Sequence, residues 1–460
     1  MANTYISRTF GTPTNSAIWT FSVWFKRSKI SATMQIFTAG SGATDQTRIG
    51  FTGSDFLNVN RNIGGSEVEL LSTKKFRDTN GWYHLVVQNN SGTAAVYVNG
   101  VAVSLNSSSL GTNKINVAST IHIVGDTPAS GENFDGIMSH IHFVDGTIYA
   151  PTVFGSTDST TGEWQINTFP SITMGNNGFT ILKDGNTITD QSSNSNNFSA
   201  SSGTLTKTED NPSNVFCTMN PLNHDYANTD SDIYYGNTLV YPRDNTNYTY
   251  AMSTMAMPKG NGKFYFEAKF LTYDNIENGV GIVNIDYASD IFYQNRQIMS
   301  NSANTEIGRV LLNANGRSII PGTENSSYGF GSWSNGDIIC MACDMENGAF
   351  YFRKNGGSWA NSGDPTSGST KTGAIDISST SQWTSSFHWG VWCGCNENNH
   401  DRFAFNFGNG SFGNTSGYSS TPTITSTAVS SAGANASGNG IFEYDVPTGY
   451  TALSTKGLNL

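Results

Sequence analysis

The fold of this 460-residue chain is decided by three segments: GKFYFE at residues 262–267, GDIICMACDMENGAFYF at 336–352 and RFAFNFG at 402–408. In the second segment, two apolar runs flank Asn347-Gly348, a dipeptide that favours hairpin turns because both residues tolerate positive φ. In the third segment, Phe403, Phe405 and Phe407 recur at a period of two, which places their rings on one face of a strand. The segments therefore predict a β-hairpin and a strand that faces a core.

The first 150 residues contain a second series of strand patterns: FSVWFKR at 21–27, WYHLVV at 82–87, VYVNGVAV at 96–103 and FDGIMSHIHF at 134–143. The third of these again predicts a hairpin, here over Asn99-Gly100. In the fourth, His140 and His142 share a strand face without metal-ligand spacing, and we interpret them as a structural pair with satisfied hydrogen bonds.

The composition is typical of an all-β protein. Charged residues make up only 13% of the chain, 49 residues are glycine, and β-branched and aromatic residues recur in short runs between turn residues. No long stretch has the helical 3.6-residue period, so we expect little helix, and no apolar run approaches the length of a membrane span.

Charge and cysteine content exclude further classes of protein. The net charge of −11 lacks the basic footprint that nucleic acid requires, so no nucleic-acid partner is expected. The five cysteines do not form a disulfide or zinc pattern, and we expect reduced thiols. Residues 1–8 lack the features of a secretory signal, which predicts synthesis in a cytoplasm.

The chain divides into three parts by composition. We predict one sandwich at residues 1–150, a Ser/Asn-rich connector at 151–211 that is docked by spaced apolar residues, and a second sandwich at 212–460. The apolar residues of 446–453 indicate a C-terminal segment that packs onto the second sandwich.

Both sandwiches resemble known families. The segments at 262–267, 336–352 and 402–408 resemble, in their order, a SPRY-type (B30.2-like) domain, and the strand patterns within 21–143 resemble a laminin-G or pentraxin-like domain. These resemblances imply an all-β fold of two tandem concanavalin A-like jelly-roll sandwiches. The SPRY-type fold binds partners and implies no chemistry of its own, so no enzyme activity is expected.

Short motifs extend the resemblance over nearly the whole chain. They are FGSTD at 154–158, GEW at 162–164, NNGF at 176–179, DQS at 190–192, NPSN at 211–214, MNPL at 219–222 and VPTGYTAL at 446–453. In this order they resemble virion proteins of tailed bacteriophages, especially those of marine bacteria. The resemblance implies location in a virion, contact with other virion proteins, assembly as a homo-oligomer and recognition of a host cell-surface glycan or protein. A tail or fibre-associated component is the favoured interpretation, and a capsid-surface decoration or connector protein is the alternative.

Candidate binding residues lie in loops at the ends of the predicted sandwiches. In the second sandwich they are Trp333, Trp359, Asn396, Asn398, Asn399 and His400, because an exposed ring stacks on sugar C–H groups while polar side chains bond hydroxyls. In the first, Asp126, Asn133 and Asp135 supply oxygen atoms that suit Ca²⁺, which is the one cofactor considered. Each set has a structural alternative: the tryptophans plug their own sandwich, and the loop carboxylates form Asx turns.

Hydrolase activity is the third functional alternative. Retaining glucanases with a jelly-roll fold align carboxylates along one strand, and the nearest patterns here, Glu67-Val68-Glu69 and Glu443-Tyr444-Asp445, lack the third carboxylate. We interpret Glu67 and Glu69 as part of a solvated strand face.

Overall fold

A computed structural model of the chain describes residues 4–129, 131–224, 231–242, 249–272, 279–287, 309–313, 318–320, 323–325, 332–385, 387–395, 401–415, 424–429 and 437–459. Contacts between residues divide the chain into two units. The first unit contains residues 2–207 and 211–213, and the second contains 208–210 and 214–460.

The first unit is a jelly-roll sandwich of two antiparallel sheets. One sheet has seven strands in the order β15-β1-β10-β3-β4-β5-β6, the other has six in the order β14-β11-β2-β7-β8-β9, and β12-β13 form a separate hairpin. The bounds are β1 Tyr5–Thr9, β2 Ile18–Arg27, β3 Met34–Gly42, β4 Asp45–Phe51, β5 Phe56–Ile63, β6 Ser66–Lys75, β7 Tyr83–Asn90, β8 Thr93–Val98, β9 Val101–Ala102, β10 Ile121–Val124, β11 Gly136–Asp145, β12 Gly155–Thr157, β13 Trp164–Ile166, β14 Phe179–Ile181 and β15 Ser199–Ser202.

The second unit also contains two large sheets. One has the order β16-β19-β28-β21-β22-β23-β24, and the other has the order β17-β18-β29-β20-β25-β26-β27, with β32 paired in parallel to β20 and a separate pair β30-β31. The bounds are β16 Met219–His224, β17 Ser231–Tyr234, β18 Leu239–Pro242, β19 Thr249–Pro258, β20 Lys263–Thr272, β21 Gly279–Asn284, β22 Arg309–Asn313, β23 Ser318–Ile320, β24 Thr323–Asn325, β25 Ile338–Asp344, β26 Ala349–Lys354, β27 Ile375–Asp376, β28 His388–Cys395, β29 Arg402–Asn406, β30 Ser411–Thr415, β31 Ile424–Ala428 and β32 Thr451–Ala452.

Helix is scarce in the described part of the chain, as the composition predicts. Two short α-helices occur, α1 at Ser381–Ser385 and α2 at Thr455–Leu458, and 3₁₀ turns lie at Pro151–Val153, Ile285–Tyr287, Ala360–Ser362 and Gly368–Thr370. Within the described residues, neither α-helix has the length and apolar character that would let it cross a membrane.

The sheets of each unit pack face to face through the alternating apolar residues. In the first unit, Phe21 of β2 and Phe37 of β3 stack across the core with their ring centroids 4.7 Å apart. In the second unit, Phe403, Phe405 and Phe407 are all fully buried in one core, which confirms the face predicted from their period of two.

The two predicted hairpins form, but their turns differ. Asn99 and Gly100 both have positive φ and directly join β8 to β9, as expected for the Asn-Gly dipeptide. Between β25 and β26, the pairing of Asp344 with Ala349 leaves a four-residue loop in which Gly348, and not Asn347, has positive φ. The predicted hairpin is therefore present with a longer turn, which the Asp344 carboxylate shapes by accepting the backbone N–H groups of Glu346 and Asn347.

Residues of the predicted connector build part of the first unit. The strand Phe179–Ile181 pairs with β11 inside the six-stranded sheet, and Ser199–Ser202 pairs with β1 at the edge of the seven-stranded sheet. The DQS motif explains how this segment is held. Asp190 Oδ1 accepts the N–H groups of Thr180 and Ser192 at 2.9 Å each, and Oδ2 accepts the N–H of Asn196 at 2.8 Å.

The hairpin of β12 and β13 covers a histidine on the outer side of the six-stranded sheet. His84 stacks between Trp24 and Trp164, with centroid distances of 4.8 and 5.9 Å, and Trp164 Nε1 donates to His84 Nδ1 at 3.0 Å. Burial lowers the pKa of His84 to about 3, so the ring is neutral at ordinary pH. Gly155 lies under the same indole, and a Cβ atom there would come within 2.7 Å of Trp164.

A buried ion pair fixes the loops at one end of this sandwich. Arg27 Nη2 donates to Asp55 Oδ1 at 2.8 Å, and both side chains are at most 3% exposed. The same oxygen accepts the N–H of Ser31 at 2.7 Å, while Arg77 Nε lies 3.2 Å from Oδ2. Because the carboxylate satisfies three groups, its removal would leave a buried guanidinium without its counter-charge.

The glutamate of the GKFYFE segment anchors the C-terminal segment of the second unit. Glu267 is fully buried, and its Oε1 accepts bonds from Tyr265 Oη at 3.1 Å and the N–H of Tyr444 at 2.9 Å. Its Oε2 accepts bonds from Asn406 Nδ2 and the N–H of Glu443, both at 3.0 Å. Burial raises the pKa of Glu267 to about 7 in spite of these donors.

Packing of residues 446–453 is also confirmed. Val446, Tyr450 and Leu453 are buried, and Thr451-Ala452 pairs with β20. Cys217, Cys340, Cys343 and Cys393 are buried and are not joined in disulfides, and burial raises the pKa of Cys340 to about 12.

Candidate ligand-binding face

A network of polar side chains crosses the outer side of the seven-stranded sheet in the first unit. Arg48 on β4 is opposite Asn60 on β5, and Asn60 is opposite Glu69 on β6. The alternate residues of these strands, such as Ile49 and Val59, point into the core, so the polar set points away from it. We call this set the polar face. It comprises Gln35, Arg48, Asn58, Asn60, Glu67 and Glu69, together with Glu132 from the loop between β10 and β11.

Arg48 lies at the centre of the polar face. Its Nη2 contacts Glu67 Oε1 at 3.0 Å and Asn60 Oδ1 at 2.9 Å, and its Nη1 lies 3.4 Å from Glu132 Oε1. Asn60 Nδ2 donates to Glu67 Oε1 at 2.8 Å. The Glu67 side chain is still 47% exposed, so its carboxylate is held in place and remains open to solvent.

Glu69, two residues after Glu67 on β6, is held in a similar way. Its Oε1 accepts a bond from Asn58 Nδ2 at 3.1 Å, and the residue is exposed. The predicted solvated strand face at Glu67 and Glu69 is thus present, but neighbouring amide groups fix both carboxylates. Exposed carboxylates with fixed orientation can accept hydrogen bonds from vicinal sugar hydroxyls at little further entropic cost.

Sequence reasoning identified the two glutamates but missed the rest of this face. The signal was present as the alternation Asn58, Asn60, Asn62 in FLNVNRNI, where asparagine is otherwise uncommon inside a strand. A polar residue repeated at a period of two predicts one continuous polar strand face.

The predicted calcium ligands lie in the loop beside the polar face. Asp126 is buried; its Oδ1 accepts the N–H of Glu132 at 3.0 Å and its carbonyl accepts the hydroxyl of Thr38 at 2.8 Å. Its Oδ2 is buried without a hydrogen bond, and so is Asn133 Nδ2. The Asp126 to Glu132 bond spans six residues, so it closes the loop and is not the Asx turn of the structural alternative.

Asp135 is positioned by its backbone, whose carbonyl accepts the N–H of Ser28 at 2.9 Å, and burial raises the pKa of its carboxyl group. Among the residues that the structure describes, no three His, Cys, Asp or Glu side chains cluster in a way that could hold a metal ion. Calcium binding by Asp126, Asn133 and Asp135 therefore stays a prediction, which would need the Asn133 amide oxygen or backbone carbonyls as further ligands.

In the second unit, the two predicted tryptophans have different environments. Trp333 is 1% exposed and packs against Phe270 with their ring centroids 4.5 Å apart, so the expectation of an exposed stacking platform at Trp333 is wrong. Its ring fills the inter-sheet core, as the structural alternative proposed. Trp359 is half-buried against Tyr351, and the Arg353 guanidinium lies 4.7 Å from its ring centroid. Asn396, Asn398, Asn399 and His400 lie outside the described residues.

The histidines of FDGIMSHIHF have hydrogen-bond partners, as interpreted from the sequence. His142 Nδ1 lies 2.9 Å from Thr180 Oγ1, and His140 Nδ1 lies 2.7 Å from Ser139 Oγ. Their burial lowers the pKa of His142 to about 3 and that of His140 to about 4.

Comparison with known protein families gives a match to the first unit. Residues 2–154 match the Laminin_G_3 family, described as the concanavalin A-like lectin/glucanases superfamily. No curated protein matched the chain.

Three of the solved structures that match the chain are a SPRY domain, a pentraxin and a putative carbohydrate binding protein. The SPRY domain of human HERC1 has 13% identity and a TM-score of 0.28, covering 41% of this chain and 96% of that domain. The heptameric SAP-like pentraxin from Limulus polyphemus has 16% identity and a TM-score of 0.28, covering 40% of this chain and 90% of the pentraxin. A putative carbohydrate binding protein from Bacteroides ovatus ATCC 8483 has 17% identity and a TM-score of 0.30, covering 45% of this chain and 58% of that protein. The family match of residues 2–154 and the two sheets described above together identify the fold of the first unit as a concanavalin A-like jelly roll.

Proposed function

We propose that this chain is a glycan-binding component of a tailed-bacteriophage virion, carried on the tail or a fibre, where it recognises a host-surface glycan through the polar face of its first unit. The function requires no catalytic step. Carriage as a capsid-surface decoration or connector protein is the alternative location.

The observation that carries the glycan-binding part is the arrangement of Glu67 and Glu69. Both carboxylates leave the same side of the edge strand β6, are exposed, and are fixed by Arg48 and by asparagine amides at 2.8 to 3.1 Å. Sugar hydroxyls donate hydrogen bonds to such acceptors, and a bond to a charged group is stronger than one between neutral groups. The family description of residues 2–154, which includes lectins, supports the same function.

The virion part of the proposal is supported by the order of the short motifs between residues 154 and 453. At least one of these motifs serves the architecture of the fold, since Asp190 of DQS binds three backbone N–H groups within the first unit. Side chains used in this way accompany a particular arrangement of strands, so their order supports descent from proteins of that arrangement.

Glycan binding is tested by titrating the purified full-length chain with capsular or lipopolysaccharide glycan from the host, using calorimetry. Loss of a hydrogen bond to a charged group costs about 1.5–3 kcal/mol, so E67Q combined with E69Q should weaken binding about tenfold or more. The melting temperature should hardly change because both side chains are exposed. The matched control is Glu163→Gln, because Glu163 is an exposed glutamate in the turn between β12 and β13. Equal binding by the double variant and the control would refute the role of the polar face.

The location is tested separately by immunogold labelling of purified particles with antibody against the chain. Labelling of tails or fibres, together with inhibition of adsorption by the free protein, is expected. Labelling of the head would favour the decoration alternative, and absence of the chain from particles would refute a virion role.

A further inference from the structure

One aromatic ring of the first unit is exposed although the surrounding loop holds it in place. Phe169 is 78% exposed, and its backbone N–H donates to Asn167 Oδ1 at 3.1 Å. Asn167 is itself fixed by two bonds of 2.9 Å, from its Nδ2 to the carbonyl of Val153 and from its N–H to the carbonyl of Phe154. The ring is therefore presented to solvent by an ordered turn.

A lysine covers one face of this ring. Lys183 Nζ lies 3.8 Å from the Phe169 ring centroid, a cation–π contact that is weak at an exposed site. The Lys183 backbone N–H donates to Gln191 Oε1 at 2.9 Å, and Gln191 Nε2 donates to Asp184 Oδ2 at 2.6 Å. A ring, a cation, an amide and a carboxylate thus lie within one surface, which we call the Phe169 patch: Phe169, Lys183, Asp184 and Gln191.

The backbone beside the patch adopts conformations that bulky residues rarely take. Leu182 and His140 both have positive φ, of 55° and 48°, and the N–H of His140 donates to the carbonyl of Leu182 at 3.0 Å. The register of β11 shifts between Ser139 and His142 at the same place. Such bulges redirect side chains, and strained residues concentrate at binding sites. Here the irregularity directly precedes Lys183 in the chain.

The charge of the patch at neutral pH comes from Lys183 and Asp184. Burial and the nearby Lys183 lower the pKa of His140 to about 4, so its ring adds no charge. Asp184 already accepts the bond from Gln191, whereas Lys183 contacts only the weakly attractive face of an aromatic ring among the interactions described for its ammonium group.

We propose that the Phe169 patch is a second binding site of the first unit and takes one carboxylated sugar, a hexuronate residue within an acidic glycan. The sugar carboxylate pairs with Lys183 and draws its ammonium group from the ring, and the uncovered face of Phe169 then stacks on the C–H groups of the sugar. Gln191 and Asp184 bond the hydroxyls. This inference rests on the proposed glycan-binding function, but it concerns the β14 edge of the six-stranded sheet and not the polar face.

A glycan suits the patch better than a protein partner does. A protein interface usually needs a broad area with several apolar anchors, and the neighbours of Phe169 in this surface are polar or charged. An anionic ligand can displace Lys183 from the ring at a small cost in free energy, because an ion pair replaces the cation–π contact. A neutral sugar offers no such replacement, so the patch should prefer acidic sugars.

The experiment titrates the full-length chain with α-1,4-linked tri-galacturonate and with neutral galactotriose, followed by ligand-observed NMR. The wild type should bind the acidic trisaccharide more tightly than the neutral one. F169A should weaken binding of the acidic trisaccharide about tenfold through loss of stacking, and K183Q should weaken it about three- to fivefold while leaving galactotriose unchanged. Phe387→Ala and Lys456→Gln replace an exposed phenylalanine and an exposed lysine of the second unit and should change neither titration.

The outcomes separate this inference from the proposed function. Binding of tri-galacturonate that is lost in F169A and kept in E67Q/E69Q supports the patch. Binding that is lost in E67Q/E69Q and kept in F169A overturns the patch and leaves the polar face as the glycan site. Absence of tri-galacturonate binding, or equal binding by wild type, F169A and K183Q, overturns the patch, while the titration with host glycan still judges the proposed function. Loss of particle assembly in F169A without an effect on sugar binding would assign the ring to a protein contact and also overturn it.

Discussion

Replacing Glu267 by glutamine should loosen the C-terminal segment of the second unit. The carboxylate accepts four hydrogen bonds, two on each oxygen. A glutamine amide has one oxygen, so in either orientation its NH₂ group faces two donors. Each buried donor left without an acceptor costs about 1–3 kcal/mol. Because the Tyr265 hydroxyl can rotate away, we expect E267Q to lower the free energy of unfolding by about 2–4 kcal/mol where Glu267 is ionised, above about pH 7.

The stability lost in E267Q should depend on pH, and the direction of this dependence follows from the pKa of Glu267. Burial raises the pKa of Glu267 from 4.5 to about 7, so the folded wild type holds this proton more tightly than the unfolded chain does. That contribution to stability is complete below about pH 4.5 and is lost as the pH rises through about 7, and it amounts to about 3 kcal/mol at most. Glutamine does not titrate. The deficit of E267Q should therefore be largest near about pH 5 and smaller near about pH 8.

Urea unfolding of the full-length chain at both pH values measures the deficit, and hydrogen exchange of peptides covering residues 441–454 locates it. Glu346→Gln is the matched control, since Glu346 is exposed and lies 3.7 Å from Lys263. Unchanged stability and exchange in E267Q at both pH values would refute the anchoring role, and a deficit that does not vary with pH would refute the raised pKa.

Four further predictions concern the first unit and the chemistry of the chain. D55N should lower the stability of the chain by about 3–5 kcal/mol, because it leaves Arg27 buried without a counter-charge; a thermal melt no different from that of D184N, at an exposed aspartate of the same unit, would contradict this. The pKa of His84 is lowered to about 3, so its contribution to stability is present above about pH 6.5 and is lost as the pH falls towards 3; a melting temperature that stays constant over this range would contradict the burial of the neutral ring. G155A should destabilise by about 1–3 kcal/mol in chemical denaturation, because its Cβ would meet Trp164 at 2.7 Å, whereas G42A, which meets nothing within 4 Å, should be nearly neutral. The purified chain should release no reducing sugar from β-glucan, alginate or host polysaccharide, and turnover that disappears in E67Q or E69Q would contradict the non-enzymatic function.

Sequence patterns predicted the faces of strands better than the exposure of loops. The burial of Phe403, Phe405 and Phe407 could be predicted, because alternation along a strand is enough to assign the three rings to one face. Trp333 was expected in an exposed loop because glycine and serine precede it, but its burial depends on Phe270, which is distant in sequence. The exposure of Phe169 is equally non-local, since the turn that presents it is fixed by the carbonyls of Val153 and Phe154. The Asp190 hydrogen bonds could not be derived from composition, which suggested only a polar loop.

The long-range pairing of the β20 strand has a consequence for the time at which the second unit can fold. Asn406 and Tyr444 reach Glu267 from 139 and 177 residues further along the chain. During synthesis, Lys263–Thr272 therefore leaves the ribosome long before the residues that complete its surroundings, and closing such large loops is slow. The first unit, whose strands end at Ser202, can complete its sheets earlier. In the cell, the second unit should be the part that exposes unpaired strand edges and draws on chaperones until residues 441–454 have been made.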